Sequence, residues 1–347
     1  MLLALGRAQR RAGSREARDT FEQAAESAVL RGDADQLARA ALGHSARYHE
    51  TGFASARRGR ELLETALASL GEDDSARRAL LLSRLSENVA FSPDQRDGAA
   101  GLSAAALAMA RRLGDEDVLL TALMARHATL THIEHLDERL ALGEEFMGMR
   151  AARRDLLAER HHWRIQDLLE SGRVEAAMVE QPRLDALAKH MRQPQWDSIA
   201  TGWRGVWAEL RGDVALAERC GEECLAHGRR ADMKHALSTW VARLLMLRRR
   251  QGRVGELAEA AEQLASGADP RETGLRTVFG LVLAETGGEP AARAIYQDEL
   301  ASYDVVLPQF CWRTWQRSAT CASCCRTPAA LARCTRSWPR TGTATSS

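Results

Sequence analysis

The sequence predicts an all-α chain, built as a right-handed superhelical α-solenoid of about eight helical hairpins. Three observations carry this. Apolar residues recur at helical spacing, most clearly at Trp196, Ile199, Trp203, Val206, Trp207 and Leu210. Glycine-centred breaks interrupt the stripes at regular intervals: 39 residues from Gly13 to Gly52, 40 from Gly172 to Gly212, 40 from Gly212 to Gly252 and 35 from Gly252 to Gly287. Strand signals are missing, with little alternation, few β-branched runs and 5% aromatic residues. A helix striped on one face cannot cover that stripe alone, so stacked neighbours must do it.

Taken in order, the hairpins turn at Gly13, Gly52, Ser92-Pro93, near Ile133, Gly172, Gly212, Gly252 and Gly287. They are separated at Gly32-Asp33, Gly71-Glu72, Gly114-Asp115, near Ala151, near Arg192, at Ala231-Asp232 and at Gly267-Ala268. The punctuation is mechanical. Glycine takes the left-handed conformation that ends a helix, and Asp or Ser beside it caps the next one.

A period near 40 lies between the tetratricopeptide repeat and the longer HEAT and armadillo units, and internal spacing separates them. Tetratricopeptide hairpins carry a small residue in the first helix and Ala-x3-aromatic in the second. Here Gly6 precedes Ala17-x3-Phe21, and Gly280 precedes Ala292-x3-Tyr296. Gly205 and Ala217 keep the offset of Gly280 and Ala292, but Gly221 stands where the aromatic belongs. Leu42-Gly43 repeats Leu5-Gly6 after 37 residues. The hairpins are therefore read as degenerate, elongated tetratricopeptide-like units spanning residues 1–307.

The ends break the pattern. Leu2, Leu3 and Leu5 open the chain inside a hairpin without a polar capping helix, so sequence upstream is expected. After Asp304 there is no acidic residue, while Cys311, Cys321, Cys324, Cys325 and Cys334 crowd together. One reading is a zinc site on Cys321, Cys324, Cys325 and Cys334. The other is a shifted reading frame, since back-translation from the third base of Trp312 with GC-rich codons yields one more hairpin with Ala-x3-Tyr. Under that reading residues 308–347 form a disordered tail.

Forty-eight basic and 47 acidic residues give a net charge of +1, so charge balance points neither to nucleic acid nor to an anionic membrane surface. The opening apolar run is too short for a signal peptide, and no window holds the ~18 apolar residues of a membrane span. A cytoplasmic chain is expected. Lys189 and Lys234 are the only lysines, and neither lies in a phosphate-binding glycine loop. His127, His132 and His135 bunch at a hairpin break without a recognised ligand spacing, and His161-His162 are adjacent on a helix, which turns them in different directions. No catalytic, cofactor-binding or metal-binding residue is assigned. Trp163, Trp203, Trp207 and Trp240 are candidates to line a partner groove, with seam filling between hairpins as the competing reading.

The segments LLALGRAQRRAG, EDDSARRALLLSRL, ALAMARRLGDEDVLLTALMARHATL, HLDERLALGEEF and ESGRVEAA resemble the repeat region of large bacterial ATP-binding transcriptional regulators of the LuxR, or MalT-like, group. The resemblance covers Leu2 to about Leu307. It implies a non-catalytic regulatory arm without its nucleotide-binding and DNA-binding modules. Such an arm would take a protein or peptide partner, or a small-molecule inducer, and would not itself bind nucleic acid or use a cofactor. Similar arms follow the ATPase of some adenylate cyclase-linked proteins, and a free-standing scaffold with a peptide in its groove is a further alternative.

Overall fold

The computed structural model describes residues 1–12, 14, 16–45, 56–90, 96–130, 135–149, 154–231, 233, 236–259, 273–288 and 290–295. Regular structure among them is helical throughout. The helices are α1 Leu2–Arg11, α2 Ala17–Leu30, α3 Ala34–His44, α4 Ala56–Ser69, α5 Ala76–Val89, α6 Arg96–Leu113 and α7 Glu116–Thr129. They continue as α8 Leu136–Gly148, α9 Arg154–Glu170, α10 Val174–Met191, α11 Pro194–Leu210, α12 Val214–Arg230, α13 Ala236–Gln251 and α14 Thr273–Thr286, with a 3-10 turn at Val254–Leu257. Most described helix boundaries lie within a few residues of an expected break, but α3 ends at His44, well before Gly52, and α14 begins at Thr273, after Gly267-Ala268. Gly267, Tyr296 and the whole segment 308–347 lie outside the described residues.

The chemistry of the breaks is the expected one at Gly32-Asp33, Gly114-Asp115 and Gly212-Asp213. Gly212, for example, has φ +78°, open to glycine but costly for a residue with a Cβ. Asp213 then caps α12 by accepting a hydrogen bond from the Leu216 amide at 3.0 Å. At Gly71-Glu72 the cap is displaced along the chain to Ser75, whose hydroxyl accepts from the Arg78 amide. Before α11 no glycine is present, and Arg192 itself takes the left-handed conformation at φ +53°.

Two compact units result, Met1–Trp240 and the part from Val241 onward. In the first unit α1 to α11 each pack on the next helix in the chain. Second-neighbour packing runs through the odd-numbered helices: α1 with α3, α3 with α5, α5 with α7, α7 with α9 and α9 with α11. Among the described residues no pair of even-numbered helices packs to a comparable extent.

The core follows the chain as overlapping patches. One spans α2 to α6 around Leu37, Leu63 and Leu81; one spans α5 to α9 around Leu120, Leu123 and Phe146; one spans α9 to α11 around Ile165, Leu184 and Trp196. The second unit has its own patch, built on Leu245, Phe279, Val282, Leu283, Ala292 and Ile295. Arg249 pairs there with Glu285 at 2.8 Å.

The repeat-signature residues sit at close helix crossings. The Phe21 ring is fully buried between Gly6 and Gly43, where an added Cβ would come within 3.0 Å and 2.3 Å of it. Ala17, Ala217 and Ala292 are buried, as are Gly205 and Gly280. At Gly221 the arrangement is reversed: the ring of Trp240 on α13 occupies the place of the missing side chain, 1.9 Å from where a Cβ would stand. The aromatic lost from one helix is supplied by the following one, and the seam stays filled.

Candidate functional site

The densest concentration of buried polar side chains is built around α9. Glu159, Trp163, Asp167 and Glu170 recur at helical spacing on one face, while His161 reaches Glu180 of α10 and Arg164 bridges Glu180 of α10 and Glu144 of α8. After Arg154 no residue of α9 is exposed. A helix in this position brings polar groups into the interior, where each needs a partner.

On the first face, Nε2 of His127, from the last turn of α7, donates to Asp167 Oδ2 at 2.6 Å. The other oxygen of Asp167 accepts from Arg139 Nη1 of α8 at 2.9 Å, and Arg139 Nη2 donates to Glu170. Arg139 is only 1% exposed and Asp167 2%. Each charged group of the set has an opposite charge in contact, which offsets part of the cost of burying it. Nδ1 of His127 is buried without a hydrogen-bond partner, and the ring lies 4.9 Å from that of Trp163 and 6.1 Å from that of Phe146.

On the second face, His161 Nδ1 donates to Glu180 Oε2 at 2.6 Å, and Arg164 and Arg183 bind the other Glu180 oxygen. Burial pushes the Glu180 carboxyl up, but the His161 hydrogen bond and the charges of His161, Arg183 and Arg164 together hold it below the ordinary value. Arg160 donates to the carbonyls of Phe146 and Met149, tying α9 to the end of α8, and burial lowers its guanidinium.

An aromatic row continues from here. His162 stands 4.9 Å from Trp163 and 5.7 Å from Trp203, and Trp203 stacks on Trp207 at 6.4 Å. Trp203 Nε1 donates to His162 Nδ1, and Trp207 Nε1 to Gln181 Oε1, both at 2.8 Å.

Of the four candidate groove tryptophans, Trp163, Trp203 and Trp207 are buried and Trp240 is half-buried against Gly221. Their rings fill helix seams and offer a partner little surface. Within the histidine group, His127 hydrogen-bonds to Asp167 of the buried Arg139–Asp167 pair, His135 stands at the start of α8, and His132 lies outside the described residues. Among the described residues no cluster of three or more His, Cys, Asp or Glu side chains is placed to hold a metal ion. Cys220 is buried and Cys224 half-buried, neither in a disulfide, and the cysteines from Cys311 onward are not among the described residues.

Chemically the arrangement joins helices. The His127–Asp167 contact has the imidazole–carboxylate pattern that also orients a catalytic histidine, but here the ring faces the aromatic side chains of Phe146 and Trp163. Sequence reasoning missed Arg139, Asp167, Glu170 and Glu180. One signal could have found some of them: polar side chains one repeat apart bond across hairpins. His127 and Asp167 are 40 residues apart, His162 and Trp203 41, Asp74 and Arg112 38, and Asp35 and Arg77 42. Compared with known proteins, the chain matches no family model and no curated protein sequence. Among the described residues no helix is long and apolar enough to cross a membrane.

Proposed function

We propose that this chain is a regulatory, protein-interacting arm of a larger ATP-dependent transcriptional regulator, built as a right-handed superhelix of tetratricopeptide-like hairpins. The observation that supports the superhelix is that, among the described residues, the more extensive second-neighbour packing runs through the odd-numbered helices. When the first helices of successive hairpins approach one another and the second helices do not, the row curves, with the first helices on its inner side. The side-chain bonds that recur at about one repeat length support the same reading.

The regulatory role rests on the resemblance of the repeat motifs to the arms of MalT-like regulators. An arm of this kind acts by having two packings with different affinity for a partner or inducer. The test is to sequence the flanking DNA and to express the arm together with the ATPase module encoded ahead of it in frame. The arm is expected to change that module's ATP turnover. A chain whose flanking DNA encodes no such module, and which alone captures a peptide partner, would instead be a free-standing scaffold.

A further inference from the structure

We propose that the hydrogen bond from Trp203 to His162 is a pH-sensitive latch on the seam between α9 and α11. The indole Nε1–H can only donate. Its partner is His162 Nδ1 at 2.8 Å, so that nitrogen must carry a lone pair and the imidazole proton must lie on Nε2. Protonating Nδ1 sets two donors against each other at this distance, and the bond is lost.

The latch sits where it has leverage. α9 and α11 are the first helices of successive hairpins and touch as second neighbours, and beside the apolar patch they share around Ile165 and Trp196 this bond joins them directly, with the rings of His162 and Trp203 against each other. His162 is half-buried, which leaves a route for the proton.

The charged groups around it are engaged with one another. From α7 and α8 come His127 and Arg139, both on Asp167, with Glu170 on Arg139. From α10 come Glu180, bound by His161, Arg164 and Arg183, and Asp185, which takes Arg204 of α11. On its own helix Glu159 accepts from Trp163 Nε1. Acidification therefore removes the direct side-chain bond between α9 and α11, while Asp185 with Arg204 and Gln181 with Trp207 keep α10 joined to α11 and Glu180 with His161 keeps α9 joined to α10. This device is independent of what the arm is attached to.

Nitrogen-15 NMR of the full chain tests the latch directly, with Trp203→Phe used to assign the indole signal. At about pH 8, His162 should show an unprotonated Nδ1 and a protonated Nε2. Between about pH 8 and about pH 5, protonation of His162 should coincide with a shift of the Trp203 indole proton and an about tenfold loss of its protection from exchange, the equivalent of one hydrogen bond. His162→Asn places a pH-independent acceptor near the same point and should hold the indole signal still. A protonated Nδ1 at the higher pH, a His162 that stays neutral throughout, or an indole that does not respond to His162 would each overturn the latch. So would an indole that moves equally in His162→Asn. If that variant does not fold, the two wild-type titrations suffice: coincidence supports the latch, and divergence overturns it.

Discussion

Asp167 shows what a single buried charge does in this chain. It neutralises Arg139 and accepts from His127, and all three side chains are almost wholly out of water. Asp167→Ala should lower stability by about 3–5 kcal/mol, because Arg139 is left buried with half of its compensation gone. Replacing the pair with apolar residues, as in Arg139→Met with Asp167→Leu, should recover much of that. Urea unfolding followed by tryptophan fluorescence measures both, and a loss under about 1 kcal/mol for Asp167→Ala would contradict this role. Two other residues set the acid response. Burial holds His44 below its ordinary 6.5, so on acidification the unfolded chain takes up that proton first. Its contribution is complete above pH 6.5 and declines as pH falls through the window beneath it. Glu180, held below its ordinary 4.5, contributes fully above that value and loses its contribution as pH falls through the lower native one. Urea midpoints measured from about pH 7.5 to about pH 3 should fall at both stages, and His44→Gln should remove the upper one.

At the scale of the element, the seams and turns are the sensitive points. Gly221→Ala should cost about 1–3 kcal/mol, since its methyl group would overlap the Trp240 ring, and Trp240→Leu in the same chain should relieve most of the cost. Arg192→Gly should raise stability by about 1 kcal/mol, because a residue with a Cβ is strained in the left-handed turn between α10 and α11. Thermal melts of the three variants check both. These turns were legible in the sequence because their cause is local: Gly212-Asp213 contains both the left-handed residue and the cap. The polar network around α9 was not, because Arg139, Asp167 and Glu180 look like any surface charge until two neighbouring helices close over them. The tryptophans were legible as apolar stripe residues. Whether a ring on that stripe meets a partner or the next helix is decided by tertiary packing, as Trp240 on Gly221 illustrates.

At the scale of the molecule, the overlapping core patches of Met1–Trp240 replace a single centre. Among the described residues, no helix there packs substantially against one more than two places away. Folding can begin at any well-formed hairpin and spread by short loop closures, with little entropy lost before each gain. Injury is contained for the same reason. A helix that frays strips cover from the helices beside it in sequence, while remote stretches keep their own shelter, so the chain should wear away piecemeal under heat or protease.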